Sequence, residues 1–84
     1  MKNKILIKLI VPEIDDTFDI YIPINKKVGN VINLLIKSVN ELSSGLFVGN
    51  KNSCIHNKIT GEKYPINVLI RETDIRNGSV IILI

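Results

Sequence analysis

Val28 to Leu42, VGNVINLLIKSVNEL, is the stretch that decides how this chain of 84 residues folds. Val28, Val31, Ile32, Leu35, Val39 and Leu42 recur at the i, i+3, i+4, i+7 spacing that gathers side chains on one face of a helix. Asn30, Asn33, Lys37, Asn40 and Glu41 fall on the other face, and Leu34 and Ile36 broaden the apolar stripe. The remaining segments read as strand or turn. A single amphipathic helix among strands must lay its stripe on the apolar face of a sheet.

Outward from the helix, Lys26 and Lys27 stand just before it, where cations are disfavoured and no Ser, Thr or Asp is placed to cap. They read as solvated lysines of a connector; the alternatives are a helix that starts a residue or two later, or lysines that face a partner. At the other end Ser43-Ser44-Gly45 closes the helix, with Gly45 expected in the left-handed C′ position. Leu46-Phe47-Val48 is expected to fold back on the helix end, ahead of a loop over Gly49 to Ser53.

Upstream, Phe18, Ile20, Ile22 and Ile24 alternate with Thr17, Asp19, Tyr21 and Pro23, a period-2 strand. Ile5, Ile7, Leu9 and Val11 alternate with Leu6, Lys8 and Ile10 in another. Pro12 ends it, and the short turn Glu13–Asp16 implies an antiparallel hairpin. Pro23 suits an edge strand, since proline cannot donate to a ladder. Downstream, Cys54 to Ile59 is expected as a third strand and Lys63 to Ile66 as a short extended piece. Ile70 leads into a helical turn containing Ile75, the Asn77-Gly78 turn follows, and Ser79 to Ile84 reads as the last strand.

The composition bounds the function. With 45% hydrophobic residues and no Trp, residues 1–84 make one domain with an aliphatic, Ile-based core rather than a disordered chain. The single Cys54 excludes an internal disulfide. Met1, Lys2 and Lys4 before ILIKLIV imitate a signal peptide, but Lys8 interrupts the run and it is too short to span a membrane. A cytoplasmic protein without membrane insertion is expected. A net charge of +3, with acids spread along the chain, lacks the basic stripe and stacking aromatics of a nucleic-acid binder.

No catalytic constellation assembles. His56 is the only histidine, and Cys54-x-His56 offers two metal ligands where four are needed. On a strand both would share a side, without a third group to orient them as nucleophile and base. Asp15, Asp16 and Asp19 lack the ligand spacing and Gly of a calcium loop. Thr60-Gly61-Glu62-Lys63 matches no phosphate-binding fingerprint. Neither enzyme activity nor a cofactor is expected.

One physical oddity remains. If Ile81 and Leu83 face the helix, Val80, Ile82 and Ile84 face away; the same division leaves Leu6 and Ile10 outside, flanking Lys8. Should the first and last strands be neighbours, these residues form an apolar patch around a lysine, with Lys58 nearby. Such patches mark interaction sites. Leu6, Lys8, Ile10, Lys58, Val80, Ile82 and Ile84 are therefore the candidate contact residues, for a protein partner or for a homodimer through the outer face.

The order strand, strand, helix, strand, short strand, helical turn, strand is that of the β-grasp, an α+β fold. Two segments carry a closer resemblance: TFDIYIP at Thr17–Pro23 followed by VGNVINLLI, and IRETDIRNGSVIILI at Ile70–Ile84. Both are similar to the YukD/EsaB-type ubiquitin-like proteins encoded with Gram-positive type VII (ESX/WXG100) secretion systems. The resemblance implies a ubiquitin-like mixed sheet of four to five strands on one helix, first and last strands parallel at its centre. It also implies an accessory or regulatory role against cytoplasmic parts of the secretion machinery. The other main occupation of such folds, protein modifier or sulfur carrier, requires a Gly-Gly tail; the sequence stops at Ile84 within the expected last strand.

Overall fold

The computed structural model describes residues 3–84; Met1 and Lys2, part of the signal-like opening, lie outside the described residues. Its elements are β1 (Lys4–Val11), β2 (Asp16–Pro23), α1 (Val28–Leu42), β3 (Ile55–Asn57) and β4 (Val80–Leu83). Single 3-10 turns cover Pro12–Ile14 and Ile70–Glu72. The strands form one sheet in the order β2-β1-β4-β3. β1 is antiparallel to β2 and parallel to β4, while β3 is antiparallel to β4. First and last strands thus lie parallel at the centre, as the β-grasp resemblance implies, and Pro23 sits on an edge strand, as its missing N–H implies.

The core lies between α1 and one face of the sheet. Val28, Val31, Ile32, Leu35 and Val39 are buried from the helix, and Ile7, Leu9, Val11, Ile22, Ile81 and Leu83 from the strands. The helical stripe is narrower than its sequence suggests. Leu34 is 48% and Leu42 60% exposed. Phe47, 2% exposed, closes the core beyond the last helical turn instead. Its backbone is held from both sides: Asn40 Nδ2 donates to Phe47 O at 2.9 Å, and Phe47 N–H donates to Ser43 Oγ at 3.1 Å. Leu46 and Val48 flank it and are exposed, so the expected three-residue satellite contributes only Phe47.

Backbone carbonyls take the place of the missing N-terminal cap. Val28 N–H donates to Val68 O at 2.8 Å and Gly29 N–H to Ile66 O at 3.0 Å, so two of the donors every helix start leaves unpaired are met by the chain returning past it. At the other end Ser44 N–H bonds Glu41 O and Gly45 N–H bonds Asn40 O, the paired bonds of a Schellman motif. The left-handed C′ residue is therefore Ser44, at φ 55, with Gly45 one position later at φ 87.

The third strand is half the expected length. Asn57 Oδ1 accepts from the N–H groups of Ile59 and Thr60 at 2.8 and 3.0 Å, an Asx turn that bends the chain away before the ladder can continue. The extended piece expected over Lys63–Ile66 reduces to a bridge between His56 and Lys63; Pro65 has no N–H with which to prolong it.

Candidate docking face

The register decides which residues share the outer face. Lys8 pairs with Val80 on one side and Asp19 on the other, and Ile10 with Ile82 and Thr17. Leu6 pairs with Tyr21, and Ile82 with His56. Ile84 and Cys54 exchange both backbone hydrogen bonds, at 2.8 and 3.0 Å, which carries the ladder one pair further. Lys58 stands just past β3, its N–H donating to Val80 O at 3.2 Å. The topology thus gathers the seven residues singled out from the sequence across β1, β4 and the end of β3.

A turn sets that register. Asn77 Oδ1 accepts from Leu6 N–H at 2.8 Å, and Gly78 N–H donates to Leu6 O at 2.8 Å. The Asn77-Gly78 turn thereby imitates a strand residue beside β1 before β4 begins. Gly78 has φ 90, the left-handed region glycine occupies without penalty. Ser79 locks the turn, its Oγ accepting from Arg76 N–H at 2.8 Å and its N–H donating to Arg76 O at 2.9 Å.

Leu6, Ile10, Val80 and Ile82 are half-buried, Lys8 and Lys58 exposed, and Ile84 is 62% exposed. No element of the described chain lies over them. Sequence reasoning missed Tyr21, 54% exposed on this face beside Leu6, and His56 beside Ile82. The signal was present: the β2 alternation already pointed Tyr21 away from the core, and the hairpin register carries it next to Leu6.

Cys54 and His56 share a side of the chain, with Cys54 Sγ 3.9 Å from His56 Nδ1 and 4.0 Å from Nε2. Near-equal distances mean that neither ring nitrogen is aimed at the sulfur, as a general base would have to be. Among the described residues no group of three or more His, Cys, Asp and Glu is placed to hold a metal ion. Away from that face, a cleft of about 320 Å³ opens between the 60–65 segment and the second 3-10 turn. Tyr64 Oη donates to Asp74 Oδ1 there at 2.7 Å, and Asn57 Nδ2 donates to Tyr64 Oη at 3.1 Å. Burial, then the bond to Asp74, pushes the Tyr64 pKa up to about 12. The phenol keeps its proton and straps β3 to the segment before β4. Among the described residues, no helix is long and apolar enough to cross a membrane.

No family model matches the chain, and no curated protein does. Solved structures do. A chain of the MycP5-free ESX-5 inner membrane complex aligns at TM-score 0.80 and 15% identity over 96% of this chain and 20% of that one. The EccD5 ubiquitin-like domain from Mycobacterium xenopi aligns at TM-score 0.78 and 16% identity, covering 95% and 91%. The ubiquitin-like domain of the Mycobacterium tuberculosis type VII secretion protein EccD1 aligns at 0.74 and 9%, covering 96% and 97%. A toluene 4-monooxygenase complex also contains the fold, at 0.72 and 12% over 95% of both chains. The chain spans only a fifth of the ESX-5 protein but nearly the whole of each separate EccD domain. At these identities the likeness settles architecture, and the architecture is the ubiquitin-like β-grasp.

Proposed function

We propose that this chain is a non-enzymatic ubiquitin-like component of a type VII secretion system, of the YukD/EsaB type, acting in the cytoplasm by docking on protein parts of the membrane machinery. Its contact surface is the outer sheet face, centred on Leu6, Lys8, Ile10, Val80, Ile82 and Ile84, with Lys58 at its margin. The observation that carries this reading is the apolar stripe across β1 and β4, which the fold leaves uncovered. A small domain keeps several aliphatic side chains together on its surface where something else covers them. The likeness to EccD ubiquitin-like domains supports the choice of machinery, and the resemblance of Ile70–Ile84 to the YukD/EsaB pattern supports the type.

Tagged protein recovered from the source cell, run on denaturing gels and identified by mass spectrometry, tests the proposal. Recovery of unmodified 9.4 kDa protein together with membrane or ATPase subunits of the secretion machine is expected. Covalent ladders that survive denaturant and reductant would replace docking with conjugation.

A further inference from the structure

Basic residues gather at one end of the sheet. β1 starts at Lys4, which pairs with Pro23 at the end of β2. Just beyond, Arg71 N–H donates to Ile24 O and Ile70 N–H to Lys26 O, both at 3.0 Å. Lys27 bridges to Leu69, and Gly78 N–H to Leu6 O brings the Arg76 turn to the same place. Lys4, Lys26, Lys27, Arg71 and Arg76 are thus collected, all exposed, at one end of the sheet, with one acid beside Arg71, Glu72, whose Oε1 accepts from Leu69 N–H at 2.9 Å. The β1–β2 turn at the opposite end carries Glu13, Asp15 and Asp16, about 23 Å away along β1 at the rise of an extended strand.

Between the basic side chains lies a groove of about 250 Å³, lined by Ile5, Ile24, Arg71, Ile75 and Arg76. Ile75 is buried, and Ile5 and Ile24 are half-buried against the core, so its apolar walls are recessed. Both guanidinium groups are positioned by the protein. Arg76 Nη1 donates to Thr73 O at 2.6 Å and to Ile75 O at 2.8 Å, and Arg71 Nη1 donates to Asn25 Oδ1 at 3.3 Å. An arginine held through Nη1 still presents Nε–H and Nη2, the edge that takes a carboxylate with two hydrogen bonds.

We propose that this groove receives an acidic protein segment anchored by one aliphatic side chain. The anchor packs among Ile5, Ile24 and Ile75, and flanking carboxylates meet Arg71 and Arg76. Charge complementarity sets the sign of the partner, and the surrounding lysines extend the attraction beyond contact distance. Concavity sets its class. A lipid surface needs apolar residues that protrude, and a single strand of nucleic acid needs an aromatic platform; here the apolar residues are sunken and aliphatic. The site uses the inner side of the sheet at its basic end, so it stands or falls separately from the outer face.

Amide NMR shifts of the full chain, titrated with Ac-Glu-Glu-Leu-Glu-Glu-NH2, test the proposal. Shifts at Ile5, Ile24, Arg71 and Ile75 with millimolar peptide are expected. They should shrink strongly for the Gln-for-Glu and the Ala-for-Leu peptides. Arg71→Gln, whose side chain holds only the exposed Asn25, should weaken binding about fivefold, the scale of one exposed charge pair. Added salt should weaken it further. No shifts, equal shifts with the Ala peptide, or shifts confined to the outer sheet face would overturn the proposal. So would binding to vesicles of phosphatidylserine and phosphatidylcholine without binding to the peptide.

Discussion

Ile81 and Ile82 are neighbours of the same type on one strand, and they live in different worlds. Ile81 is 1% exposed beneath α1, whereas Ile82 is half-buried on the side no element covers. The contrast repeats along β1, where Ile7, Leu9 and Val11 are sealed in the core and Leu6 and Ile10 look outward. The two faces of the central strand pair therefore differ little in amino-acid type. They differ because one helix can cover only one side of a sheet. The inner aliphatics are sealed beneath α1, and the outer ones are only half-buried.

The sharpest way to break this contrast is to place the same charge on each face in turn. Ile81→Lys buries an unpaired ammonium in the core and should cost more than about 4 kcal/mol, enough to abolish a cooperative thermal melt. A normal melt in that variant would mean the pleat is inverted. Leu35→Ala removes part of the helical stripe opposite the inner face and should cost about 2–5 kcal/mol by urea unfolding. Asn40→Ala leaves Phe47 O without its donor and should cost about 1–2 kcal/mol by the same measurement; this loss would come from the loop that closes the core.

Alkaline pH probes the strap at the inner side of β3. Folded Tyr64 holds its proton to about pH 12, against 10.0 for the free side chain. The folded state thus binds that proton more tightly than the unfolded chain. The stability it supplies is whole below pH 10 and is lost as pH rises toward about 12. Urea midpoints should fall over that window in the wild type, and Tyr64→Phe should lose that part of the decline.

What could be read from residues alone follows the same division. The α1 boundaries, the hairpin and the facing of β1 and β4 were legible because periods of 3.6 and 2 are written directly in Val, Ile and Leu positions. β3 was legible only in place, because side-chain hydrogen bonding by Asn57 sets its length. The helix cap was illegible for a similar reason: its partners, Ile66 and Val68, arrive through tertiary contact. The candidate contact residues came from alternation plus the assumption that β1 and β4 are neighbours, which the parallel pairing supplies. Tyr21 and His56 needed that pairing extended to the two outer strands. Of the basic end only Lys26 and Lys27 stood out in the sequence, as lysines placed where a helix start disfavours them; Lys4, Arg71 and Arg76 are distant in sequence and join them only in the fold.

The most direct test of the docking face is Ile82→Lys compared with wild type in two assays run together, thermal melting and recovery of secretion-machine subunits from the source cell. Ile82 is half-buried and needs no partner within the domain, so the variant should lose at most about 1 kcal/mol while the subunits disappear from the eluate. Unchanged recovery with an unchanged melt would place the contact elsewhere on the molecule. An unfolded Ile82→Lys would show that the residue belongs to the core, and that the outer face is not a surface at all.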